Sequence, residues 1–271
     1  MKLGAVIRSM GPAATAPTVL TCARAAEQAG LDEGWVVDHV AIPPDDAEGS
    51  QGIYLDPLTT LAWIAGGTER IHLGTAILNL PYRPPLPTAK AIATVQELSG
   101  GRLQLGVGVG WMRPEFKALG VDRSQRGRLS DEMLAFLEEC FASDEVTAKG
   151  QAFLFKPRPE KPRIFVGGGS DAALARAVRF GDGWLPMGSD PGMLAPRIER
   201  LRELEKEAGR ERLEVVAMGG LALHEPARAS DQLAELAALG VTRFAQGLRY
   251  DEPGPFVEMT EALAGLRVGP R

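Results

Sequence analysis

Along this chain, short apolar runs alternate with longer segments in which apolar residues return every three or four positions. The spans 3–7, 33–38, 70–77, 102–109, 163–167, 183–187, 213–219 and 241–246 predict strands. Between them, Asp56-Pro57 opens a helix, Pro85 to Ser99 carries another, and Asp190-Pro191 starts a long charged helix that runs up to Gly209. A strand followed by a helix, repeated, predicts parallel strands joined by crossover helices. Eight such units in 271 residues predict an α/β (β/α)8 TIM barrel, with an open sheet as the alternative. The segment from Met112 to Lys161 exceeds the other connections and holds an extra helix, Arg128 to Ala142, then a turn-rich piece around Gly150. It predicts an excursion over one barrel mouth after the fourth strand. No repeat, low-complexity tract or linker-like stretch divides the sequence, so residues 1–271 read as a single domain.

Composition narrows the function classes. Hydrophobic residues at 45% and charged residues at 24% suit a globular chain with ample core material. A net charge of -5 and no long Lys/Arg run argue against a nucleic-acid partner. No stretch of about 18 uncharged apolar residues occurs, and the apolar run at Met1–Arg8 is too short for a signal peptide, so a cytoplasmic protein with no membrane partner is expected. Cys22 and Cys140 each lie within an apolar helical pattern, which suits buried thiols in a reducing compartment. His39, His72 and His224 are far apart and lack paired ligand spacing, so no metal site is expected.

Candidate chemistry gathers where the predicted strands end. The stretch Gly100 to Trp111 reads as a helix stop, a buried strand and a glycine-studded loop in which Gly106, Gly108 and Gly110 alternate with Val107 and Val109. Such a backbone can approach a flat or anionic ligand that a Cβ would repel. Arg8-Ser9, Asp38-His39, Thr75-Ala76-Ile77, Gly167 to Ser170 and Gly219-Gly220 fall at equivalent positions, the catalytic face of a barrel. His39 is suited to proton exchange near neutral pH or, equally, to tying a loop carbonyl. His72 reads as structural, and His224 is open. Gly167-Gly168-Gly169-Ser170-Asp171 is a strand, a glycine turn and a helix start, the best anion site in the chain. Gly167, Gly169 and Ala172 also fit a loose dinucleotide fingerprint, but the strand Gly183 to Met187 ends without the acidic residue that a nicotinamide site needs. A Gly-x-Ser-x-Gly elbow and a Walker-type loop are both missing, which disfavours hydrolase and kinase readings. Asp45, Asp46 and Glu48 read as a solvated acidic loop.

Taken together, Ala25 to Asp32, Trp35-Val36-Val37-Asp38-His39, Arg70 to Leu78, the glycine block, Pro81-Tyr82-Arg83, Glu115-Phe116, Ala118 to Val121, Arg126-Gly127 and Gly181 to Pro186 carry a family likeness. In this order the motifs resemble the bacterial-luciferase-like monooxygenase superfamily, and in particular its branch of enzymes that use the deazaflavin coenzyme F420. The resemblance implies a (β/α)8 barrel and a hydride transfer between coenzyme F420 and a small organic substrate. The alternatives are an FMN-dependent monooxygenase and a catalytically idle flavin-binding homologue. By position it implies catalytic roles for His39 and Asp38. Cofactor contacts are implied for Asp38, Thr75, Ala76, Ile77, Gly108, Val109 and Gly110, with the phosphate on Gly168, Gly169 and Ser170. It also implies a cis peptide between Ala76 and Ile77. Trp111 stands where the family's sugar-phosphate dehydrogenases carry an acidic residue, and their second tryptophan after Asp-His is missing, so that substrate class is not implied. Trp111, Tyr82 and Trp184 are expected to shape an apolar substrate space, and exposed apolar barrel helices make a homodimer the expected assembly.

Overall fold

Helix-start chemistry and apolar periodicity punctuate the chain much as the sequence predicts. The computed structural model describes residues 1–266 except Glu48, so that member of the acidic loop lies outside the described residues. In chain order the elements open with β1 (Lys2–Val6), α1 (Ala16–Gln28), β2 (Glu33–Val36), α2 (Pro57–Ala65), β3 (His72–Asn79), α3 (Pro85–Leu98) and β4 (Leu103–Gly108). The excursion follows as α4 (Arg113–Ala118), α5 (Arg126–Ala142) and the antiparallel pair β5 (Glu145–Ala148) and β6 (Gln151–Leu154). The chain continues with β7 (Arg163–Gly167), α6 (Asp171–Phe180), β8 (Gly183–Leu185), α7 (Pro191–Glu207), β9 (Glu214–Gly219), α8 (Pro226–Leu239), β10 (Arg243–Gln246) and α9 (Pro253–Gly265).

The strands pair in parallel in the closed order β1-β10-β9-β8-β7-β4-β3-β2, with β2 returning to β1, so the barrel and not the open sheet is formed. Several helices begin on a polar cap followed by proline: the Asp56 carboxylate accepts from Thr59 N at 2.9 Å, and that of Asp190 from Met193 N at 2.9 Å. Each cap satisfies an amide that the first helical turn leaves unpaired. Among the described residues no helix is long and apolar enough to cross a membrane.

Three strands end two residues away from the sequence reading. β2 stops at Val36 rather than 38, because Asp38 leaves the ladder to bond outward. β3 runs on to Asn79 rather than 77, through the Ala76–Ile77 bond, which is cis, and its register against β4 shifts between Thr75 and Leu78. β8 ends at Leu185 rather than 187, where Pro186 can no longer donate to a ladder. The helix expected as an extra element also has a different place. α5 packs against α3 and α6, which makes it a member of the outer helical ring, and the additions to the barrel are α4 and the β5–β6 hairpin.

Alternation along the strands stacks the barrel interior in layers, since every second side chain points inward. At the floor, Glu33 of β2, Gln104 of β4 and Arg243 of β10 are buried, and Arg243 donates to Glu33, to Glu214 and, at 3.1 Å, to Gln104. Two residues further along each strand, Trp35, Phe165, Val216 and Ala245 form an apolar middle layer, with Trp35 and Phe165 edge to face at 6.0 Å. Ala76, Ile77 and Met218 pack on top of it. The larger core, including Cys22 and Cys140, fills the space between the sheet and the helices. Burial pushes the Cys140 thiol up to about 11, so both chemistry and position make it inert.

Candidate active site

Above that middle layer lies a cavity of about 400 Å³, lined among others by Val37, Asp38, His39, Tyr54, Ala76, Ile77, Val109, Gly110, Trp111, Gly168 and Met187. The residues come from the C-terminal ends of β2, β3, β4, β7 and β8 and from the loops beyond them, so the cavity sits at the mouth where barrel enzymes work. Its floor is the Ala76–Ile77 segment. The Ile77 side chain reaches across to β4, where a Cβ at Gly108 would come within 2.1 Å of Ile77 Cδ1. Gly108 therefore gives the Ile77 side chain its room beneath the cavity, and it is not itself part of the lining.

The Asp38-His39 turn is held from two sides. Ser9, at the end of β1, ties Val37 through its hydroxyl, accepting from Val37 N at 3.2 Å. Asp38 is buried, and its carboxylate accepts from Asn79 N at 2.8 Å and from both terminal nitrogens of Arg83 at 2.7 and 2.8 Å. Arg83 spans onward to Asp56 at 3.0 Å. Burial alone would lower the Arg83 pKa, but the hydrogen bonds and charge of Asp38 and Asp56 outweigh it and hold the guanidinium charged. Asp38 thus reaches the cavity wall with its carboxylate already engaged.

His39 has a different partner, one that sequence reasoning did not assign. Its Nδ1 lies 3.1 Å from Glu115 Oε2. Glu115 is fully buried on α4, and its other oxygen, Oε1, accepts the backbone N–H of Val40 and, at 3.0 Å, that of Ala41. Burial pushes the Glu115 carboxyl up, yet the hydrogen bonds from His39, Ala41 and Val40 prevail and hold it below the ordinary carboxylate value. The Tyr82 hydroxyl sits beside this carboxylate, and burial followed by the Glu115 charge pushes the phenol pKa up. The imidazole is framed by Tyr54, edge on at 5.0 Å, and by Trp111, edge on at 6.1 Å. Glu115-Phe116 was visible only as a motif; its approach to His39 comes through the fold, over 76 residues of sequence.

The remaining expectations divide. His39, Asp38, Ala76, Ile77, Val109, Gly110 and Gly168 line the cavity. Thr75 does not, since it is wholly buried and its hydroxyl donates to Gly106 O at 2.7 Å, which fastens β3 to β4. Gly169 and Ser170 lie beyond the cavity edge. Ser170 caps α6, its hydroxyl accepting from Ala173 N at 3.2 Å, while Asp171 in the first turn pairs with Arg197 at 2.5 Å. Gly168 takes φ +112°, a backbone that favours glycine, and its carbonyl accepts the Trp184 indole N–H at 2.6 Å. Trp184 and Tyr82 are buried behind the wall instead of shaping the cavity, and of the three expected aromatics Trp111 alone lines it, 63% exposed at the rim. Met10, Tyr54 and Met187 are lining residues the sequence did not single out; they arrive on loops whose course no periodicity reveals. His72 stands half-buried on β3, and His224 is exposed beside Glu225. Asp45 and Asp46 form an exposed turn. Among the described residues no group of His, Cys, Asp and Glu could hold a metal.

Comparison with known proteins places this geometry in context. A protein of Mycobacterium tuberculosis, itself uncharacterised, is 29% identical over 248 residues, 84% of this chain and 83% of the relative. An F420-dependent secondary alcohol dehydrogenase, solved with an F420-acetone adduct, superposes with a TM-score of 0.82 at 16% identity, covering 98% of this chain and 99% of its own. The oxygenating constituent of 3,6-diketocamphane monooxygenase from Pseudomonas putida, solved with FMN, gives a TM-score of 0.80 at 15% identity, covering 97% and 96%. The family model for luciferase-like monooxygenases matches residues 2–265, nearly the full barrel, so the chain belongs to this family of oxidoreductases.

Proposed function

We propose that the chain is a coenzyme F420-dependent oxidoreductase acting on a small organic substrate. The observation that carries this reading is an apolar cavity with one imidazole on its wall and Gly110 and Gly168 at its edge, Gly168 lying two residues before Ser170, the cap of α6. A flat ring with an anionic tail needs this combination. A Cβ built at Gly169 meets nothing within 4 Å, so the backbone there is open to a ligand. At the start of α6 the Ala173 amide is taken by Ser170, while those of Asp171 and Ala172 have no protein acceptor among the described residues and favour an anion.

Bound there, the deazaflavin would supply a hydride-exchanging centre, the chemistry that side chains lack. Ala76 and Ile77 would support one face of the ring, Val109 and Gly110 would flank it, and Gly168, Gly169 and Ser170 would hold the phosphate. His39 would take or give the proton that accompanies the hydride. Asp38, its carboxylate saturated by Arg83 and Asn79, would position His39 rather than touch the reacting atoms. Arg83 is neutralised by Asp38 and Asp56 and Arg8 pairs with Asp251, while Arg123 donates to the Trp111 carbonyl at the rim at 3.3 Å. The part of the substrate packed against Trp111, Tyr54 and Met187 would be largely apolar.

The second reading, an FMN-dependent monooxygenase, draws support from the FMN complex of the same fold. Ultrafiltration with each cofactor separates the two: coenzyme F420 retained with the protein and FMN in the filtrate is the expected result, and the reverse overturns the reading. His39→Ala is expected to retain the cofactor and to reduce turnover by about 10²-fold or more. Unchanged turnover would remove His39 from the proposed role, and a bound cofactor with no turnover of any tested donor or acceptor would favour the catalytically idle reading.

A further inference from the structure

Glu115 does more than fasten a loop. Its Oε1 accepts from two backbone amides, those of Val40 and Ala41, the Tyr82 hydroxyl lies beside the carboxylate, and Oε2 stands 3.1 Å from Nδ1 of the His39 ring. An ionised carboxylate only accepts hydrogen bonds, so a nitrogen that bonds to it must carry the proton. The carboxylate is fully buried in the protein and held in its charged form by these same contacts. On the opposite edge of the ring, Nε2 has no protein partner among the described residues, and the imidazole belongs to the cavity wall.

We propose that Glu115 is a positioning residue that fixes the tautomer of His39: the neutral imidazole carries its proton on Nδ1 and offers the Nε2 lone pair to the cavity. Free neutral histidine spreads between its two tautomers, and a buried charge-assisted hydrogen bond favours the Nδ1–H form by at least about tenfold. The group that docks against His39 then meets an acceptor in the resting protein. The excursion after β4 acquires a purpose, because α4, an addition to the barrel, is the element that delivers this carboxylate. The consequence for turnover rests on the function proposed above; the tautomer itself does not.

The substitution Glu115→Gln tests the idea with a directional outcome. The amide oxygen of glutamine is expected at the Oε1 place, where Val40 and Ala41 donate, which puts the NH2 against His39 Nδ1. That nitrogen must then accept, so the proton moves to Nε2 and the cavity meets a donor. The chain has three histidines, so 15N spectra of histidine-labelled protein without any cofactor, above about pH 8 where an ordinary histidine is neutral, resolve each ring, and the spectrum of His39→Gln assigns the signal. The expected result is Nδ1–H for His39 in the native protein and Nε2–H in Glu115→Gln, with the signals of His72 and His224 unmoved. A native His39 in the Nε2–H form overturns the proposal, as does a variant that retains Nδ1–H. The native spectrum decides the first point even if the variant does not fold. Turnover of Glu115→Gln is expected to fall at least about tenfold. A native protein that shows the Nδ1–H form and no deazaflavin turnover would remove the proposed function and leave this assignment standing.

Discussion

The two ends of the barrel both bury charged pairs, and they use them differently. At the floor, Arg243 and Glu33 are each 1% exposed, and the guanidinium donates from Nε and Nη1 to Glu33, Glu214 and Gln104 while Nη2 is enclosed without an acceptor among the described residues. All of these groups sit on strands and point at one another. At the mouth, Asp38 and Glu115 are just as buried, but Glu115 fixes the Val40-Ala41 loop and holds His39 at the cavity, and Asp38, itself on the cavity wall, is clamped by Asn79 and Arg83. The floor closes the barrel, and the mouth aims it. Buried charge by itself therefore does not mark a functional site; a pair marks one when one of its members still has a free polar atom facing open space.

The strongest way to break this comparison is at the floor. Arg243→Ala would leave Glu33 buried with the Trp35 indole N–H, at 3.1 Å, as a remaining donor. Stranding a buried charge in this way costs about 3–5 kcal/mol. Urea unfolding should show the full loss, with His39 still between Tyr54 and Trp111 in the folded fraction. At the mouth, Asp38→Asn removes the ionic half of the Arg83 clamp, while Arg83 keeps Asp56, which is about half exposed. The expected cost is smaller, about 1.5–3 kcal/mol, the range for a hydrogen bond to a charged group. Turnover should fall along with it, because the residue before His39 loses its anchor. Equal costs at the two ends would show that the mouth is as rigid a structural joint as the floor.

Much of this was legible in the linear pattern, for identifiable reasons. The strand and helix alternation survives because parallel strands covered on both faces read as continuous apolar runs, and Asp56-Pro57 and Asp190-Pro191 start helices through contacts within four residues. The family motifs located His39, Ala76, Ile77 and Gly110, and the expected cis bond between Ala76 and Ile77 is present. What escaped is what depends on distance in sequence. Glu115 meets His39 only after α4 folds over the loop, and Met10, Tyr54 and Met187 reach the cavity on irregular segments. Thr75 and Gly108 stand outside the cavity lining for another reason. Both belong to motifs at the cavity, yet one fastens two strands and the other makes room for Ile77, because a strand's side chains alternate and a motif does not say which face each member takes.

The smallest expected effect separates the mouth carboxylate from the other acids. Glu115 is held below the ordinary carboxylate pKa of 4.5 when folded, so its bonds to His39, Val40 and Ala41 contribute stability above that pH and lose it as the pH falls through the lower folded value. Asp56 and Glu214 are also held low, by Thr59 and Arg83 and by Arg243 and Arg163 against the opposing effect of burial, so the native protein should weaken progressively in acid. Glu115→Gln retains those two groups and removes the titration of one. Its urea midpoint should therefore decline less steeply than that of the native protein below pH 4.5, the two curves differing by the contribution of Glu115 alone. Parallel curves would mean that the carboxylate at the mouth gains nothing from ionisation in the folded state, and the contrast between the two ends of the barrel would then rest on geometry without charge.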